Sequence, residues 1–230
     1  MTATRPLPAE HEKAAAVEAM FDRIAPRYDR MNRLLTFRLD VGWRRRAVAA
    51  LNLGAGARVL DLACGTGDLC NDLQQAGFHV VGVDFSAGML GAATTTASLV
   101  RGDVLHLPVP NGSIDGIACG FALRNFSALP PFFAACATAL RTGGRAAFLD
   151  VGEPRSAVLR AGHTLYFRRV VPFIGGLLSD RAAYSYLPAS TAYLPQPAEL
   201  VALVGAAGFT DVRHQRLGLG AAQLVTATRR

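Results

Sequence analysis

The residues best placed to do chemistry are three acids and two glycines. Asp61 interrupts the apolar run Val59 to Ala63, Asp84 ends a second apolar run, and Asp103 ends a third. Between the first two acids lies Cys64-Gly65-Thr66-Gly67-Asp68. A glycine pair between a strand and a helix lets the backbone approach a ligand closely, and the helix N-terminus it opens ordinarily favours an anion. The anion reading fits poorly here. Cys70 stands where a G-x-G-x-x-G dinucleotide fingerprint places its third glycine, and Asp68 stands where a pyrophosphate would lie. A carboxylate at that point cancels much of the helix-dipole benefit.

A cationic ligand reverses the argument. S-adenosylmethionine carries no phosphate, a sulfonium and an amino acid ammonium. Asp61 and Asp68 then become attractive, and Gly65 and Gly67 leave room for the amino acid part. Asp84, 19 positions after Gly65, stands where an acid accepts hydrogen bonds from both ribose hydroxyls. Asp103 is placed for the adenine amino group. Asp68 is equally well explained as a carboxylate in the first turn of a helix. Asp61 is not, because an acid inside a buried strand needs a partner.

Short strands alternating with helices must hold these residues. The pattern predicts strands over 58–63, 79–85, 98–104, 113–121 and 143–151, with helices over 66–76, from 86 and over 129–140. Such alternation gives an α/β, Rossmann-like, mostly parallel sheet with helices on both faces. A helix over 195–209 and two strands joined by a glycine-containing turn follow, so a C-terminal hairpin adds an antiparallel strand and makes seven. The organisation expected is a helical cap over 1–57, a core over 58–151, a lid-like insertion over 152–194 and a closing helix and hairpin over 195–230.

Composition narrows the class. With 230 residues, 51% apolar and 18% charged, the chain is long enough to bury a core and too apolar to be disordered. The net charge of +7 comes from arginine, Lys13 being the single lysine, and suits nucleic acid or anionic lipid. No apolar run reaches the ~20 residues that span a bilayer, and the N-terminus has no signal-peptide core, so a cytoplasmic protein is expected. Cys64, Cys70, Cys119 and Cys136 form no C-x-x-C pair and are expected as buried reduced thiols, with no metal site.

Taken with "VLDLACGTGDL" (59–69) and "GVDFSAGML" (82–90), the segments "MFDRIAPRYDRMNRLLTF" (20–37), "WRRRAV" (43–48), "FALRNF" (121–126), "YFRRVVPFIGGLLS" (166–179) and "YLPAS" (186–190) make the chain resemble the ubiquinone/menaquinone-biosynthesis C-methyltransferases. These are class I S-adenosylmethionine-dependent methyltransferases that act on polyprenylated quinols. The resemblance implies cofactor contacts at Thr66, Asp84, Asp103, Val104 and Gly120, and Phe85 beside Asp84 joins that set together with Asp61, Gly65 and Gly67. It also implies that 1–57 and 152–194 wall the quinol side, where Tyr28, Phe121, Tyr166 and Arg169 are the substrate-binding candidates. The chain departs from the family pattern at Ala122, where Gly or Asn is common, at Asp150, where Glu is usual, in the short 84–103 segment, and in a last strand without histidine.

Methylating an aromatic carbon asks mainly for positioning and an electron-rich ring. Arg124 and Asn125 follow the fourth strand. Arg124 suits a developing phenolate or the orientation of a water, and cannot itself be the base. Asn125 suits the quinol oxygen. Tyr28, His163 and Asp150 are weaker candidates for the base. The apolar segment 165–178 with Arg168-Arg169 suits a prenyl tail and a transient contact with the inner membrane face. Demethylmenaquinol is the acceptor expected, with a small aromatic or polyketide-type metabolite as the alternative. A nucleic-acid substrate is disfavoured by the apolar lid, and a homodimer is left open.

Overall fold

The computed structural model describes residues 10–171, 173, 175, 180, 183, 186 and 189–230, without the side chains of 10–12, 163, 167 and 168. Among them, β1 (Arg58–Leu62), β2 (His79–Asp84), β3 (Ser98–Arg101), β4 (Ile114–Gly120), β5 (Leu140–Val151), β6 (Phe209–Leu217) and β7 (Ala222–Arg229) form one sheet. The order is β3-β2-β1-β4-β5-β7-β6. Strands β1 to β5 pair in parallel, and β7 runs antiparallel between β5 and β6.

Strands β1, β2, β4 and the second half of β5 are largely buried on both faces, which is why they read as continuous apolar runs rather than as alternation, whereas β3 is an exposed edge strand. The two-residue period still sorts them. Leu60, Leu62, Ile117, Cys119, Ala146 and Phe148 face a core shared with α6 (Leu129–Ala139) and α8 (Pro197–Ala206). Val59, Ala118, Ala147 and Leu149 face the opposite core, built with α3 (Leu39–Leu51) and α4 (Asp68–Gln75). Phe132, Phe133, Phe148 and Phe209 are fully buried and stack edge-on or tilted in the first core.

Three boundaries differ from the sequence expectation. Helix α4 starts at Asp68, not Thr66, because Gly67 at its N-cap has φ +87°, a left-handed conformation that closes the turn before the helix can begin. Strand β3 ends at Arg101, so Asp103 lies in the loop beyond it. Strand β5 begins directly after α6, with a register shift against β4 between Ile114 and Gly116.

A third cluster joins the N-terminal helices to the segment after β5. Met20 and Ile24 of α1 (Glu10–Ile24) and Met31 and Leu35 of α2 (Tyr28–Leu35) pack with Met89 of α5 (Ala87–Gly91), Val171 and Ala183. Helix α7 (Ala157–Leu165) leads into a π-helical turn, Tyr166–Val170. No helix among the described residues is long and apolar enough to cross a membrane.

Candidate active site

Strand order reverses between β1 and β4. The loops leaving their carboxyl ends therefore part in opposite directions and open a crevice, the usual ligand position in such sheets. Both exits are strained. Ala63 after β1 has φ +55° and Phe121 after β4 has φ +60°, left-handed values that non-glycine residues rarely adopt.

Asp61 shares the β1 face of Val59, toward α3 and α4, and is 1% exposed. One carboxylate oxygen, Oδ2, accepts from the Cys70 thiol at 3.1 Å, while Oδ1 is sealed from solvent with no partner among the described residues. Burial, reinforced by the charge of Asp84, pushes this carboxyl up to about 7. Asp84, at the end of β2, accepts from the Gly65 amide at 2.7 Å and the Ser86 amide at 2.8 Å. Those bonds, with one from the Phe85 amide, oppose the upward push of burial and leave part of the carboxylate's acceptor capacity unused. A Cβ added at Gly65 would meet open space, whereas one at Gly67 would lie 2.5 Å from Thr95. The first glycine therefore faces a cradle, and the second is fixed by packing.

The remaining cofactor-side residues are less uniform. Phe85 stands half-open beside Asp84. Val104 is buried in the core, and Gly120 closes β4 against Leu69. The Thr66 hydroxyl is occupied, donating to Asp29 of α2 at 2.5 Å. Asp103, expected at a strand end, instead caps its own turn by accepting from the Leu105 amide at 2.9 Å and pairs with His106 at 3.0 Å. Asp68, expected to attract a cation, is held by Arg33 at 2.8 Å and Arg44 at 3.3 Å. Its charge is answered within the protein.

On the other side of the crevice Arg124 is 4% exposed and paired at 2.5 Å with the fully buried Asp150 of β5. The same Nη1 donates to the Phe121 carbonyl at 2.7 Å, and Asp150 also accepts from the backbone amides of Arg124 and Val151. An arginine so clamped is rigid, and Asp150 is committed to it rather than free to act as a base. Arg124 Nε and Asn125 Oδ1 are buried without partners among the described residues. Burial raises the Tyr28 hydroxyl above its ordinary range, which argues against a base there as well. The Tyr166 hydroxyl donates to the Leu35 carbonyl at 2.8 Å, and the Phe121 ring stacks on Trp43 at 6.4 Å between centroids. Arg169 stands apart, exposed in a shallow groove along α7 with Arg160 and Leu165. The side chain of His163 lies outside the described residues.

Sequence reading missed the struts behind the glycine loop. Arg44 of α3 joins Asp40 at 2.6 Å, Asp72 at 2.8 Å and Asp68, tying α3 to α4. Asp22 of α1 accepts from the Ser86 hydroxyl at 2.5 Å and the Gly88 amide at 2.9 Å, which anchors α1 to α5. Lys13 is buried, donates to the Phe126 carbonyl at 2.7 Å and sits 3.6 Å from the centre of the Tyr193 ring. The "WRRR" segment was the one visible hint of Arg44.

The chain matches the ubiE/COQ5 methyltransferase family over residues 9–229. It belongs to that family. As a methyltransferase it is 41% identical to a demethylmenaquinone methyltransferase of Roseiflexus castenholzii over 99% of each chain. It is 37% identical to the ubiquinone/menaquinone biosynthesis C-methyltransferase UbiE of Geobacter sulfurreducens, over 94% of this chain and 89% of that one. A SAM-dependent methyltransferase of Thermotoga maritima shares the fold at 18% identity, with a TM-score of 0.67 over 93% of this chain and 99% of that one. The methyltransferase site suits S-adenosylmethionine on its own geometry. An unpartnered buried carboxylate oxygen at Asp61 answers a cation, an open cradle at Gly65 admits the amino acid part, and Asp84 has lone pairs left for ribose hydroxyls.

Proposed function

We propose that this methyltransferase transfers the methyl group of S-adenosylmethionine to a ring carbon of a polyprenylated quinol, with demethylmenaquinol as the acceptor. The carrying observation is the clamped Arg124–Asp150 pair with its unpartnered neighbour Asn125, set across the crevice from Asp61 and Asp84. The names of the near-full-length relatives support the same acceptor.

The cofactor supplies a methyl group activated on a sulfonium. The chain's own residues do the rest by placement. Asp61 and the amides around Gly65 fix the charged end of the cofactor, Asp84 the ribose and Phe85 the adenine face. Arg124, held by Asp150, turns its free Nε–H toward the acceptor oxygen and stabilises it as it ionises, which makes the neighbouring ring carbon nucleophilic. Asn125 Oδ1 accepts a hydrogen bond from the hydroxyl before ionisation, the proton then passes to a solvent water, and the ring carbon that gains the methyl loses its own proton to water as aromaticity returns. The N-terminal helices and the 152–194 segment exclude water and receive the tail, the division the sequence suggested. A comparison of kcat/KM on reduced demethylmenaquinone and on unprenylated phenols tests this reading. Equal values would favour the small-metabolite alternative.

Membrane contact follows from the same reading. Phe37 and Phe173 are 73% and 72% exposed, Leu34, Leu39 and Leu165 are open as well, and Phe37 touches the Tyr166 ring at 5.9 Å. Arg38, Arg160 and Arg169 are exposed on the same segments. An apolar patch with basic neighbours suits an anionic bilayer surface from which a prenyl tail is drawn. Vesicles containing anionic lipid should retain the protein at low salt, and Phe37→Ser should weaken retention severalfold. Equal retention by neutral vesicles would refute the electrostatic part.

A further inference from the structure

Four side-chain atoms are sealed from solvent without a hydrogen-bond partner among the described residues: Asp61 Oδ1, Arg124 Nε, Asn125 Oδ1 and the Tyr186 hydroxyl. Asp61 belongs to the cofactor side. Arg124 and Asn125 share one 3-10 turn, Leu123–Asn125, which packs against the turn Thr191–Tyr193 a few residues after Tyr186. Tyr186 lies within the field of the Arg124 and Asp150 charges, and its ring packs on the cluster that also holds Tyr28 and Tyr166. A buried donor or acceptor left unmade costs about 1–3 kcal/mol. Three close together, around the turn after β4, are groups that a polar atom of a bound substrate would relieve once the turn opens to it.

The set has a definite chemical complement. A phenolic hydroxyl offers one proton and two lone pairs. Its proton suits Asn125 Oδ1, which can only accept, and its lone pairs suit Arg124 Nε–H, which can only donate, and a second donor. We propose that the Tyr186 hydroxyl is that second donor, a substrate-orienting group that holds the same ring oxygen as Arg124 and Asn125. The inference rests on the quinol reading above and extends its contact set beyond the residues the sequence offered. Burial pushes the Tyr186 hydroxyl up to about 12, so at neutral pH it gives a hydrogen bond and does not take a proton. Its part is to hold and stabilise the ionised oxygen, with the base elsewhere.

The test is Tyr186→Phe, which removes one oxygen and keeps the ring. With reduced demethylmenaquinone and S-adenosylmethionine, kcat/KM should fall ten- to a hundredfold. Cofactor affinity by calorimetry should not change, and the ligand-free melting temperature should hold or rise, because an unsatisfied buried hydroxyl is gone. A structural hydroxyl would move the melting temperature the other way. A kcat/KM within twofold of wild type, or a lower melting temperature with weakened cofactor binding, overturns the proposal. If phenylalanine prevents folding, 3-fluorotyrosine at 186 keeps the shape and strengthens the donor. An altered kcat/KM with a shifted pH profile is then expected, and unchanged values overturn the proposal equally. Wild-type turnover in the same assay separates the two levels. Without wild-type turnover on the quinol the functional reading falls and takes this one with it. With it, and with variants that match wild type, only the role of Tyr186 falls.

Discussion

Replacing Asp61 with asparagine should stabilise the ligand-free protein and weaken cofactor binding, and both effects should follow pH. The carboxyl is 1% exposed, has one unpartnered oxygen and is pushed from about 3.8 to about 7 by burial. A displacement of that size penalises the charged form by about 4 kcal/mol. The folded protein keeps a proton on Asp61 that the unfolded chain releases above about pH 4. The stability linked to this group is therefore full below about pH 4 and is lost as the pH rises through about 7. Asparagine removes the charge and leaves an amide that is itself imperfectly paired, at a cost of about 1–3 kcal/mol. The net gain at pH 8 is then roughly 2 kcal/mol, or about 4–8 °C of melting temperature for a chain of this size. It should vanish by about pH 5, where the remaining penalty of roughly 1.6 kcal/mol is offset by the amide's own cost.

Binding moves the opposite way. A cationic ligand selects the ionised carboxylate, so the wild-type Kd should rise about 25-fold from pH 7.5 to pH 5.5, the change in ionised fraction for a group titrating near 7. Calorimetry in two buffers of different ionisation enthalpy should register release of about half a proton per cofactor at pH 7. Asp61→Asn should bind weakly with an almost flat profile. Scanning calorimetry and titration over pH 5–8 provide both readouts. A wild-type Kd independent of pH, or an asparagine variant that melts lower than wild type at pH 8, would refute the reasoning.

Two further outcomes follow from the ion pairs. Asp150→Asn leaves the buried Arg124 charge unanswered and should cost roughly 3–5 kcal/mol of stability along with most of the turnover. The double variant Asp150→Leu with Arg124→Met should recover the melting temperature and remain inactive, which thermal melts and a methyl-transfer assay would check together. Arg44→Met strands Asp40 and Asp72 and leaves Asp68 to Arg33 alone, and should cost about 3 kcal/mol at pH 8. The cost should shrink as the pH falls, because protonation relieves the repulsion among these carboxyls and burial already pushes that of Asp68 upward, so urea melts at high and low pH decide it.

The sheet was legible because its central parallel strands are buried on both faces, and the run "RVLDLA" needs no tertiary information to read as a strand. The positions of Asp61, Asp84 and Arg124 at the crevice were legible for the same reason, as each interrupts, ends or follows such a run. What the sequence hid are choices made between distant segments. Asp68 looked available until Arg33 and Arg44 arrived from α2 and α3. Asp150 looked like a base until it closed on Arg124, and Thr66 is taken by Asp29. Asp103 slipped off its strand because Gly102 interrupts the run. Tyr186 sat in the quoted "YLPAS" motif with nothing local to mark its hydroxyl, since a missing partner is visible only once the neighbours are in place.

The most direct test is one incubation of the protein with carbon-13 methyl-labelled S-adenosylmethionine and chemically reduced demethylmenaquinone, read by NMR of the extracted product. The account predicts the label as a methyl on a ring carbon of the naphthoquinol. Label on oxygen, or none in the quinol while cofactor binding is intact, would contradict it.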